Sequence, residues 1–86
     1  MYLHLGQDTV VRDSTIIGIF DMDNTTVSKH TRRFLSRAEK KGRVEAVSAE
    51  LPKSFVVCED RGSETVYLSQ LAAATLLRRT RDLTEQ

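Results

Sequence analysis

Apolar positions fall in short runs whose period changes along the chain, and those changes mark the elements. Tyr2-Leu3-His4-Leu5 alternates around Leu3 and Leu5 and reads as a strand. Gly6-Gln7-Asp8 turns, and Thr9-Val10-Val11-Arg12 returns as a second strand. Asp13-Ser14 breaks the pattern. From Thr15 to Phe20 the chain is β-branched and almost wholly apolar, which predicts a central strand covered on both faces, with Gly18 admitting a close neighbour. Asp21 to Thr26 is polar and rich in turn formers.

The period then lengthens. Thr31, Phe34, Leu35 and Ala38 recur at helical spacing, so a helix is predicted from an N-cap at Ser28 to about Lys41. Val27 is placed to staple its entry against Thr31, and Gly42 supplies the stop. Val44 to Val47 is a weak strand. Ser48 to Pro52 connects to Ser54–Cys58, a strongly apolar strand. Glu59 to Glu64 turns around Gly62, and Thr65–Leu68 completes a hairpin. Ser69 then caps a last helix from about Gln70 to Arg81, with Leu71, Ala74, Thr75 and either Leu76 or Leu77 on its packed side; Asp82 to Gln86 should fray. The order β-β-β-α-β-β-β-α predicts a single α+β domain: a small, mostly antiparallel sheet with one helix on a face and a second helix at the C-terminus.

Size sharpens this picture. A domain of 86 residues buries only ~60% of its unfolded surface, and Cys58, the sole cysteine, cannot form an internal disulfide. Self-association is one way to bury more. His4 and His30 stand apart, so no metal site or other cofactor is suggested. No apolar run reaches the ~20 residues of a membrane span, the first residues do not read as a signal peptide, and an unpaired cysteine in an apolar strand fits a reducing cytoplasm.

Net charge of +1 conceals a strong asymmetry. From Lys29 to Arg43 there are seven basic residues and one acid, Glu39, giving +6. The other six basic and eleven acidic residues leave −5. On the first predicted helix Arg33, Arg37 and Lys40 share one stripe at i, i+4 and i+7, which Lys29 extends and Arg32 flanks. Like charges at that spacing repel by a few tenths of a kcal/mol each. Three readings stand: a solvated surface, a seat for phosphate backbone, or a seat for an acidic face of a neighbouring subunit. Arg78, Arg79 and Arg81 form a second cluster that the dipole at a helix C-terminus already favours.

One short motif points elsewhere. An apolar strand ending in Asp21-x-Asp23-x-Thr25 matches the nucleophile loop of haloacid-dehalogenase-type phosphatases, with Asp21 as nucleophile and Asp23 as acid. Those enzymes need a doubly wound sheet and a later acidic pair, for which the remaining 60 residues have neither the length nor the pattern. Asp21, Asp23 and Asn24 as turn residues are the simpler account.

The whole chain resembles the RemA/RemB family of small bacterial extracellular-matrix regulators, and its RemB-like branch most. The resemblance rests on Met1-Tyr2-Leu3-His4-Leu5-Gly6, Ile16-Ile17-Gly18-Ile19-Phe20-Asp21, Pro52-Lys53-Ser54-Phe55-Val56-Val57, Val66-Tyr67-Leu68-Ser69 and Ala74-Thr75-Leu76. It implies a cytoplasmic, non-enzymatic DNA-binding regulator of biofilm-matrix genes, working as a ring- or arc-shaped homo-oligomer on duplex phosphates. The family's adjacent arginines before the fifth strand are replaced here by Glu50-Leu51-Pro52-Lys53, so only Lys53 keeps the charge. A further family arginine aligns near Thr15, with Arg12 the nearest substitute. The expected DNA contacts are therefore Arg12 and Lys53 by resemblance, and Arg32, Arg33 and Arg37 by charge pattern. The alternative is an oligomeric scaffold or partner-binding protein that has lost DNA contact.

Overall fold

A computed structural model describes residues 1–22 and 29–84. The elements follow the expected order: β1 (Tyr2–Gly6), β2 (Thr9–Arg12), a 3-10 turn at Asp13–Thr15, β3 (Ile16–Asp21), α1 (Lys29–Lys40), β4 (Val44–Ala46), β5 (Ser54–Asp60), β6 (Ser63–Ser69) and α2 (Ala73–Thr84). The fold is α+β. β1 and β2 form a hairpin of their own, while the other strands make one sheet in the order β3-β5-β6-β4. β3, β5 and β6 run antiparallel and β4 lies parallel to β6.

The sheet is covered on both sides, and β5 carries the core of each. Val56 and Cys58 face the hairpin and α2, meeting Leu3, Leu5, Val11 and Leu76. Phe55 and Val57 face α1, meeting Ala38, Val66, Phe34 and Leu35. Alternation along one strand thus serves two layers, which is why Ser54–Cys58 is buried without a break. The β5–β6 turn is tighter than expected: Asp60 pairs with Ser63, and Arg61 and Gly62 both take positive φ (53° and 82°), as a type I′ turn requires.

The central strand is therefore β5, and the expectation that Thr15–Phe20 is central and doubly covered fails. Thr15 ends the 3-10 turn, and β3 is an edge strand on which Ile17 is 58% and Phe20 41% exposed. A bulge at Ile17, between the Ile16–Cys58 and Gly18–Val57 pairs, breaks the period-two alternation that a buried strand keeps. The close approach expected at Gly18 is made by Phe20 of the same strand. A Cβ on Gly18 would lie 2.7 Å from the Phe20 ring, which stacks on Phe55 at a centroid separation of 4.9 Å.

α1 buries Ala38 and half-buries Phe34, Leu35 and Thr31, as its periodicity predicts. It stops at Gly42 (φ 68°): Arg43 N–H donates to Ala38 O (2.9 Å) and Gly42 N–H to Glu39 O (3.0 Å), a Schellman closure. The expected cap at Ser28 and staple at Val27 lie outside the described residues.

α2 departs more. Ser69 does not cap it; Ser69 stays in β6, paired with Ser54 and fully buried. Its Oγ donates to Leu5 O (2.5 Å) and accepts from Leu71 N–H (3.0 Å), while Ser54 Oγ donates to Leu71 O (2.7 Å). Those bonds hold residues 70–72 out of the helix, which starts at Ala73. It buries Ala73 and Leu76 and leaves Ala74 and Leu77 exposed, so Ala74 does not belong to the packed side. The helix continues to Thr84, past the expected end at about Arg81, and residues 85–86 of the stretch expected to fray lie outside the described residues.

Candidate functional site

Burial of Phe34, Leu35 and Ala38 under α1 fixes where its charges go. At 3.6 residues per turn, Arg33 and Lys40 point away from the sheet, and Arg32 and Arg37 flank them on either side. All four are exposed, and with Ser36 they line one shallow hollow on the outer face. Arg33 to Lys40 spans ~10 Å along the axis. No salt bridge engages these four among the described residues. Its lining among the described residues is four cations and a serine.

A second acid comes from the sheet face that meets α1. Glu64 lines a cleft with Phe34, Arg37, Ala38, Lys41 and Arg43 at the end of α1. Glu39 is therefore not the sole local acid, as the linear charge count implied. The signal lay in the hairpin register: Glu64, Val66 and Leu68 share the period-two face that meets α1.

Arg12 and Lys53 do not join the α1 group. Arg12 ends β2 and lines a cleft with Tyr2, Thr15, Asp60 and Tyr67 on the hairpin side. Lys53 is exposed at the opposite end of β3, and its backbone is held from both sides: Lys53 N–H donates to Ser69 O (2.8 Å) and Met22 N–H donates to Lys53 O (2.9 Å). Of the five expected contacts, three share a surface and two stand apart from it and from each other. Arg79 is engaged in structure, since its Nη1 donates to His4 O (3.2 Å) and ties α2 to β1.

A family model described as "RemA-like: Extracellular matrix regulatory protein A-like" matches residues 2–80. The chain belongs to the RemA-like family. It is 38% identical over 79 residues to extracellular matrix regulatory protein B of Bacillus subtilis (strain 168), covering 92% of this chain and 89% of that protein. The match spans both sheets and α1, so the basic hollow is part of the RemA-like domain rather than an appendage.

Other chemistry finds less support. Asp21 closes β3 opposite Ser54, and Asp23 lies outside the described residues. No cluster of three His, Cys, Asp or Glu suited to a metal ion occurs among the described residues. Burial pushes the Cys58 thiol up from its usual range, against a smaller opposite pull from a hydrogen bond with Thr15. A protonated, buried thiol behaves as a small hydrophobe. No helix among the described residues is long and apolar enough to cross a membrane.

Proposed function

We propose that this RemA-like chain is a non-enzymatic bacterial regulator of extracellular-matrix genes, a cytoplasmic homo-oligomer that holds duplex DNA by its phosphates. The observation that carries the reading is the outward stripe of Arg32, Arg33, Arg37 and Lys40, grouped around one hollow with no salt bridge to any described residue. Duplex DNA presents a charge every ~1.7 Å of axis, so a ~10 Å stripe meets a few phosphates at once. Even four such contacts on a lone subunit give a salt slope of only about −4 and weak binding. Repetition around an oligomer multiplies the contacts into a strong, salt-sensitive whole. Arg12 and Lys53, at separate ends of the domain, would then serve different parts of the same duplex or different duplexes.

The test is Arg33→Glu. Affinity for unrelated duplexes should fall together and the log–log salt slope should flatten by about 1 per subunit engaged, with the fold intact. Unchanged affinity in a folded variant takes α1 out of the contact. A second reading, an oligomeric scaffold that binds a protein partner instead, is favoured by Glu50 and Leu51, both exposed where the resemblance expects arginines. It predicts no DNA binding at any salt.

A further inference from the structure

Between the β3 edge and α1 lies an open groove lined by Ile17, Phe20, His30, Thr31, Phe34, Phe55, Val57 and Glu64. Its floor is apolar, and Ile17 and Phe20 are left in solvent at an edge strand, which proteins normally blunt with charge or cover. β4, the other edge of this sheet, is blunted: three residues long, with Glu45 exposed. The groove lies beside the basic helix and carries His30 on its rim.

The complementary feature is on the β4–β5 connector. Leu51 is 87% exposed, more than any other large hydrophobic residue described. It is also held in place. Glu50 N–H donates to Ser48 Oγ (3.0 Å), Pro52 restricts the backbone of Leu51, and Lys53 is bonded on both sides to the sheet. A rigid, outward Leu beside an acid is a preformed plug, whereas a mobile one would lose most of its binding to ordering. Leu51 does not line the groove of its own chain.

We infer that the groove between β3 and α1 receives the Glu50-Leu51 plug of a second copy of this chain, with Leu51 on Ile17, Phe20 and Phe34 and Glu50 toward the basic side of α1 at His30. Charge distribution favours this pairing, because the plug belongs to the part of the chain carrying −5 and the groove borders the part carrying +6. Glu64 closes the far side of the groove, which orients Glu50 to the His30 end. Plug and groove are different surfaces, so the contact is head-to-tail, and such contacts propagate into rings or filaments. The inference rests on the homo-oligomer proposed above and names its interface.

Light scattering on the full chain, without DNA, tests it. Leu51→Asp spoils the plug and keeps the groove; Ile17→Asp does the reverse, and His30→Glu spoils the groove without touching an apolar residue. Each folded variant should dissociate at least ~10-fold more readily than wild type. Mixing Leu51→Asp with a groove variant should restore one intact contact and give a 1:1 pair. Wild-type mass retained by Leu51→Asp, or a mixture that stays monomeric, overturns the interface. A monomeric wild-type chain overturns the homo-oligomer reading itself.

Discussion

Ser69→Ala removes one oxygen and should cost this domain a large part of its stability. The Oγ atom is fully buried, donates to Leu5 O and accepts from Leu71 N–H. It joins three parts of the fold: the β1–β2 hairpin, the end of β6 and the turn into α2. Alanine leaves the buried Leu5 carbonyl and the partly buried Leu71 N–H without that partner. A buried orphan costs ~1–3 kcal/mol and the partly buried one about the low end of that, so the loss should be about 2–4 kcal/mol. Against a total of ~5–15 kcal/mol for a native domain, that is a loss of the order of a third. In urea, with a slope of ~1–1.5 kcal/mol per molar, the midpoint should fall by roughly 1–4 M. The comparison needs a fixed protein concentration, because association stabilises by mass action. Ser48→Ala is the control: its Oγ accepts one bond, from Glu50 N–H, at an exposed turn, and its loss should stay within ~0.5 kcal/mol. A Ser69→Ala midpoint no lower than that of Ser48→Ala would refute the clamp.

Other predictions follow from single features. Gly42→Ala forces a Cβ into φ 68° at the Schellman closure, so it should cost ~1–2 kcal/mol in thermal or urea unfolding, and Gly42→Asn less. The Cys58 thiol and Tyr67 hydroxyl are both raised by burial, Tyr67 further by Glu45 and by Cys58. An acid whose folded pKa is raised gives up its proton first in the unfolded chain. Stability should therefore hold below about pH 8 and decline as pH rises past the ordinary cysteine and tyrosine values of ~8.5 and ~10. Urea midpoints across that range should show a shallower decline for Cys58→Ala, and an unchanged slope would assign the effect elsewhere. Asp21→Asn should leave any phosphoester turnover at background, since wild type should show none with magnesium; turnover lost in the variant would revive the phosphatase motif.

Element order and the inward face of α1 were legible because each rests on local periodicity: Phe34, Leu35 and Ala38 had one consistent phase. The errors came where two placements satisfy the same local pattern. A β-branched run such as Ile16–Phe20 suits a central strand or a half-covered edge, and only the bulge at Ile17 and the self-covering of Gly18 by Phe20 decide it. Ser69 has the right chemistry for a helix cap, but its hydroxyl is taken by Leu5, 64 residues away, a partner no local pattern reveals. In α2, Ala73–Leu76 and Ala74–Leu77 offer adjacent phases of equal hydrophobicity, and packing against the hairpin selects the first. Of the candidate site, the α1 stripe could be read from i, i+4, i+7 spacing. The separation of Arg12 and Lys53 could not, because it depends on which ends of β3 they occupy.

Phosphate holding by a repeated basic face is tested by duplex DNA binding, read by fluorescence anisotropy across a salt series with solution mass recorded on the same samples. An oligomer that binds unrelated duplexes similarly is expected, with a log–log salt slope well steeper than the about −4 that one subunit's stripe can supply. An oligomer that binds no duplex even at the lowest salt would contradict it.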